Sequence, residues 1–176
     1  MANTFELISS STATGSVANF DFTSIPGTFT DLVLKVSGRS TAAFTRRTMR
    51  ITINNSTTAN DYADRYLLGS GAAASSAADA TGTQSYIVGW DLPAASATAN
   101  TFANIEIYIP NYASSTTYKS LSIDGVGEDN ISSGVYMGLV AGIYNQNTAI
   151  TRVTVTPDSG SFVIYSSAYL YGIKNS

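Results

Sequence analysis

The segment Thr101–Ile123, TFANIEIYIPNYASSTTYKSLSI, restricts the fold more than any other part of the chain. Ile105, Ile107 and Ile109 share one parity, and Asn104, Glu106 and Tyr108 share the other. Successive side chains of a pleated strand point to opposite faces, so this alternation describes a strand with one apolar and one polar face. Pro110 has no N–H to give a ladder and ends the pairing. Residues 111–115 carry turn chemistry, and alternation resumes at Lys119 with Leu121 and Ile123 inward. Strand, corner and return strand are the repeating unit of an all-β sandwich.

The same grammar runs through the rest of the sequence. Phe5–Ile8 reads as a short first strand, followed by a hydroxyl-rich turn over 9–16. VANFDF gives a second strand, and Pro26-Gly27 turns a corner before a strand over 31–37 with Leu32, Leu34 and Val36 inward. A basic connection over 38–48 leads to the strand Met49–Ile53. Tyr62, Asp64, Tyr66 and Leu68 share parity and favour a strand over a short helix. Residues 69–82, GSGAAASSAADATG, predict an exposed loop. A strand over 85–90 places Tyr86, Val88 and Trp90 on one side, and residues 124–130 read as a turn. Val135–Tyr144 is apolar on both parities, which predicts a strand covered on both faces. Strands over 150–155 and 162–173 complete the chain. About ten short strands without a convincing helix predict one antiparallel β-sandwich domain over 1–176, in jelly-roll topology, with 1–11 free to act as an extended arm.

Composition narrows the chemistry. There is no histidine and no cysteine, which removes Ser-His-Asp triads, Cys-His pairs and the usual zinc ligands. Charged residues make up 12% of the chain, about half the usual share, and the net charge is −3. That balance argues against nucleic acid as a partner. No apolar run reaches membrane-spanning length, and MANTFELISSS lacks the basic and apolar regions of an export signal. The acidic, glycine-containing run Asp124–Asn130 invites a calcium reading but lacks the D-x-D-x-D-G spacing. Among twelve carboxylates no strand-end pair stands out for glycoside hydrolysis. The expectation is a protein without catalytic residues, cofactor or metal.

Two features suggest contact surfaces. Arg39, Arg46, Arg47 and Arg50 place four of nine basic residues within twelve positions, either a docking patch for an acidic protein surface or a solvated hairpin tip. Eleven tyrosines, with Tyr165, Tyr169 and Tyr171 near the end, suit an interface, a sugar-stacking platform or ordinary strand packing.

Three phrases taken together carry a resemblance: FDFTSIPGTFTDLVLKVSGRS, TFANIEIYIPNYASSTTYKSLSIDGV and TRVTVTPDSGSFVIYSSAYLYGI. They resemble a group of small virion proteins of tailed bacteriophages, many from aquatic hosts. The group shares an opening I-P-x-x-F/Y-x-D-L-x-L, matched by Ile25, Pro26, Phe29, Asp31, Leu32 and Leu34. It also shares an I-P-N-Y corner, matched by Ile109–Tyr112, and the ending F-x-x-Y-S-x-A-x-L-Y-G-I, matched by Phe162–Ile173. The resemblance implies a phage structural component made in the bacterial host cytoplasm. In the favoured role it is a capsid decoration (cement) protein on the outer shell, bound to the major capsid protein and to itself as a trimer, without nucleic acid or membrane. Phe5 and Leu7 in the arm and Arg39, Arg46, Arg47 and Arg50 would then form the partner interface. The competing role is a tail or fibre component that binds a host-surface glycan or receptor.

Overall fold

The computed structural model describes residues 4–129 and 136–174. Twelve strands follow one another: β1 (Phe5–Thr12), β2 (Phe20–Phe22), β3 (Asp31–Gly38), β4 (Arg46–Ile53), β5 (Tyr62–Gly69), β6 (Ala74–Asp79), β7 (Ile87–Pro93), β8 (Ala103–Pro110), β9 (Lys119–Gly127), β10 (Tyr136–Tyr144), β11 (Val153–Pro157) and β12 (Ser167–Ile173). A single 3₁₀ turn, Ala59–Asp61, precedes β5. The strands form an eight-stranded sheet, β1-β12-β3-β8-β9-β10-β5-β6, and a four-stranded sheet, β2-β11-β4-β7. Early strands pair antiparallel with late ones, β1 with β12, β2 with β11, β3 with β8 and β4 with β7. This nested pairing, alternating between sheets, is the winding of a jelly roll and agrees with the expected all-β sandwich.

The isoleucine ladder is the centre of the core. Ile105, Ile107 and Ile109 are fully buried, and Ile107 stands opposite Leu34 on β3 and Ile123 on β9. The small sheet lays Phe20, Phe22, Met49, Ile51, Ile53, Val153 and Val155 onto this face. Trp90 sets the fit at one side. Gly125 of β9 and Gly138 of β10 are cross-strand partners. A Cβ on Gly138 would lie 1.9 Å from the Trp90 Cη2, and one on Gly125 would lie 2.3 Å from its Cγ. The indole therefore rests on a glycine floor, with its N–H donating to the Tyr136 carbonyl at 3.2 Å. A bulge opposite Met49/Arg50 aims it there, and Trp90 itself holds φ +92°, a conformation rare for a bulky residue.

The three phrases that carry the resemblance meet as joints of the fold. The buried Tyr112 hydroxyl of the I-P-N-Y corner donates to the Pro26 carbonyl and accepts from the Phe29 N–H. Asp31 accepts from the Asn111 N–H and the Tyr108 hydroxyl, both at 2.9 Å. Phe29 lies against Gly172 of the closing phrase, where an added Cβ would come within 2.3 Å of the ring. Phe162 stacks on Phe20, 4.6 Å between centroids.

Several local expectations change. β1 continues to Thr12 because Ser9–Thr12 pair with Leu170–Ser167, where a turn was expected. The small-residue run expected as a loop forms β6, held in register by β5. Asp124–Gly127 extend β9 rather than turning, and Asn130 lies outside the described residues. The β7 bulge turns Val88 away from Trp90, so the three residues expected on one side do not share a face. The last strand begins at Ser167, after an irregular stretch in which Tyr165 takes φ +73°. The two-sided cover expected for Val135–Tyr144 is not found over 136–144, Val135 lying outside the described residues: Val140 and Tyr144 are buried, but Met137 and Leu139 are exposed on the outer face.

Gly138→Ala is expected to destabilise the domain by about 3 kcal/mol, since overpacking a rigid indole against a sheet leaves no room to relax. Chemical denaturation followed by the emission of Trp90 reads this directly. A midpoint within experimental error of wild type would refute the glycine-floor account.

Candidate binding surfaces

The residues expected to form a partner interface separate into three environments. Phe5 and Leu7 lie on the outer face of β1, about half exposed, with Phe5 edge-on to Tyr171 at 6.4 Å. In this structure β1 pairs with the chain's own β12. Arg39 is buried, 8% exposed. Its guanidinium donates to the carbonyls of Thr98 (2.8 Å), Ala97 (3.0 Å) and Thr101 (3.1 Å) and to the Thr101 hydroxyl (3.0 Å). It pins the loop between β7 and β8 and does not join the other three arginines. Those three each stack on a ring: Arg46 on Tyr136 and Arg47 on Phe44, both at 3.7 Å, and Arg50 on Tyr86 at 4.4 Å. Arg46 also pairs with Asp91, and Arg47 with Asp158 at 3.6 Å. The basic cluster is thus a set of cation–π and ion pairs on and around β4 rather than a free positive patch.

Arg46 and Asp91 border a small notch of about 210 Å³ between the edge of β7 and the overhanging β5, lined also by Thr48, Tyr66, Leu68, Trp90 and Tyr136. Its polar groups already satisfy one another, with Thr48 donating to Asp91 at 3.0 Å. Beside it Asp64 joins the two sheets. One carboxylate oxygen accepts from the Val88 N–H at 2.9 Å and from Gln84 at 2.7 Å, while Oδ1 is buried without a hydrogen-bond partner. Burial pushes the Asp64 carboxyl up to about 6, and Asp79 opposite it adds to the rise, against the opposing pull of the Val88 N–H.

An open apolar surface, which the sequence did not reveal, lies on the outer face of the large sheet. Leu67 stands opposite Leu139, and Met137 opposite Val126. These four side chains are 61%, 58%, 62% and 40% exposed, respectively. Next to them a trough of about 670 Å³ runs between β6 and β9, lined by Arg65, Leu67, Ser76, Ala78, Ser122, Leu139 and Ala141 among others. A second depression of about 610 Å³ shares Arg65, Ala78 and Ala141 with it and extends towards Asp79. The floor is shallow in side chains, so backbone and small groups lie open to a partner. No ion pair to Arg65 exists among the described residues. The surface is suited to burying apolar groups beside one cation. Its signal was present in the apolar outer parity of Val135–Tyr144 but read as cover by a neighbouring layer. Among the described residues no group of three or more carboxylates is arranged to hold a metal ion.

No protein-family model and no curated protein matches the chain. Among solved structures it is similar to an exo-inulinase from Aspergillus awamori, at 13% identity and TM-score 0.47, over 96% of this chain and 29% of that one. It is also similar to a homodimeric agglutinin from chicken liver, at 12% identity and TM-score 0.36, over 86% and 98% of the two chains. A carbohydrate-binding module of a Ruminococcus gnavus sialidase is similar at 11% identity and TM-score 0.33, over 95% and 93%. The chain spans under a third of the inulinase's length. At these values the likenesses carry no function.

Asp64 gives a pH prediction. Its carboxyl titrates near 6 when folded and near 3.9 unfolded. The stability it contributes is therefore complete below about pH 4 and is lost as pH rises through 6, up to about 3 kcal/mol. Asp64→Asn is expected to remove this component, so the gap between variant and wild type widens from pH 4.5 to pH 7 in favour of the variant. Parallel pH profiles for the two proteins in urea melts would count against it. Arg39→Ala is expected to cost about 3 kcal/mol in the same assay by leaving loop carbonyls unpaired, whereas Arg46→Ala costs under about 1 kcal/mol.

Proposed function

We propose that this chain is a virion structural protein of a tailed bacteriophage, most specifically a decoration protein that binds the outer shell and steadies neighbouring capsid subunits. The resemblance of its three phrases supports the class. The observation that carries the docking role is the open outer face, where Leu67, Leu139, Met137 and Val126 form one contiguous exposed apolar stripe beside Arg65. Single exposed hydrophobic residues are ordinary, but a stripe of four with an adjoining trough marks a contact surface. In this reading the major capsid protein presents an apolar ridge with an acidic group for Arg65. Phe5, Leu7 and Tyr169 offer a second apolar area at the far edge of the same face.

Purified protein mixed with undecorated capsids is expected to bind saturably at physiological salt. Replacing Leu67 and Leu139 together by Glu is expected to weaken that binding at least about a hundredfold while the fold persists, because both side chains point to solvent. Absence of saturable wild-type binding would defeat the proposal. Copy number per particle separates the locations: hundreds of copies fit shell decoration, whereas a dozen or fewer with tail labelling fit an adsorption component.

A further inference from the structure

The two sheets end in four edge strands, β1 and β6 on the large sheet and β2 and β7 on the small one. An edge strand presents a row of N–H and C=O groups without ladder partners, and proteins blunt such rows with bulges, charge, proline or shortness. Three of these edges are blunted. β2 is three residues long with Asp21 at its centre. β7 is bulged against β4, bears Asp91, ends at Pro93 and has its Val88 N–H taken by Asp64. β1 is bulged between Leu7 and Ser9, and its Glu6 pairs with Lys174 at 3.2 Å. β6 has no bulge and no proline, and its one charge, Asp79, lies at the C-terminal end, leaving the five residues before it uncharged. Its sequence ASSAAD runs in unbroken register along β5, from Asp64↔Asp79 to Gly69↔Ala74, and five of its six residues are exposed.

We propose that β6 is a self-association edge, through which two copies of this chain pair antiparallel about a two-fold axis and join their eight-stranded sheets into one. Charge decides both the partner and the direction. The single charged residue of β6, Asp79, sits at its C-terminal end, already opposite Asp64 in its own sheet. Antiparallel pairing centred near Ser76 places each Asp79 beside the small residues that open the other β6, at opposite ends of the joint. Parallel pairing would stack the carboxylates side by side, and so would an acidic foreign strand. The row of Ala and Ser is self-complementary, with no side chain large enough to hold two such backbones apart. With the axis perpendicular to the sheet, Ala74, Ser76 and Ala78 of the two copies share one face. Ser76 and Ala78 also wall the outer trough, so pairing sets two troughs side by side on one surface. A two-fold joint consumes both edges and stops at two copies, whereas head-to-tail use of an edge continues. The three-fold state expected for a decoration protein would need a contact elsewhere.

Sedimentation of the wild type is expected to show a dimer. Ser76→Lys, a solvent-facing change that puts like charges together across the joint, is expected to raise the dissociation constant at least about a hundredfold while leaving thermal unfolding of the domain intact. The chain has no cysteine, so Cys introduced singly at Ser75, Ser76 and Ala77 reports the register: at least one of the three is expected to oxidise to a covalent dimer, and Ser10→Cys on β1 is not. A wild type that stays monomeric up to its solubility limit overturns the proposal. So does association that survives Ser76→Lys, or the absence of a cross-link at all three β6 positions.

Discussion

The seating of Trp90 on Gly125 and Gly138 fixes where the small sheet sits on the large one, and much else follows from that position. The indole comes from β7, the edge of the four-stranded sheet, and its floor is the β9–β10 pair. Once β7 is anchored there, β5 and β6 necessarily project past the cover. The interaction is strong enough to dictate this. A positive φ at a bulky residue costs on the order of 1–3 kcal/mol, and burial of an indole with its N–H satisfied offsets that several-fold. Two facing glycines are unfavourable inside strands. Their presence is explained by the close approach they allow, with the ring occupying the space two Cβ atoms would fill.

Cations show how a chain with so little charge uses it. Arg39 and Lys119 are both buried, and both direct their heads to backbone carbonyls, Lys119 to that of Thr117 at 2.5 Å. Burying a charge without such acceptors would be prohibitive. Arg46, Arg47 and Arg50 instead lie over aromatic rings, where the methylene stems and guanidinium plane cover apolar surface. Four arginines close in sequence therefore do four structural tasks, and their proximity in the chain reflects strand β4 and its entry loop rather than a shared ligand.

What was legible in the sequence was whatever strict alternation decided. Ile105, Ile107 and Ile109, and equally Leu32, Leu34 and Val36, are core because period two leaves one choice of buried face. What was not legible depended on partners remote in the chain. β6 has the composition of a loop and becomes a strand only because β5 supplies its ladder. The outer face of β10 looks like a buried face because sequence cannot say whether a further layer covers it. The role of Arg39 was hidden because a buried guanidinium among loop carbonyls leaves no spacing pattern. The bulge at β7 shifts parity between Val88 and Trp90, so an alternation count crossing it assigns the wrong side.

The joints built by the phrases of the family resemblance and the surfaces proposed to bind are largely different residues, Val126 and Tyr169 being shared, and this separation has a physical basis. Tyr112, Asp31, Phe29, Gly172 and Phe162 act where two distant segments must meet, and each such joint tolerates few side chains. The outer stripe and β6 make few demands inside the fold, since their side chains point to water and their backbone is ordered by neighbours on one side. Such surfaces are free to be shaped by whatever they touch. On β5 and β10 they carry exposed leucines, which a solitary monomer has no structural reason to place side by side. On β6 they carry no bulge, no proline and a charge only at the last residue, Asp79. If the edge joins two copies, the two stripes face the same way, and the capsid surface proposed as their partner would meet both. The second contact then forms at a high effective concentration, so two individually weak apolar patches suffice for stable attachment.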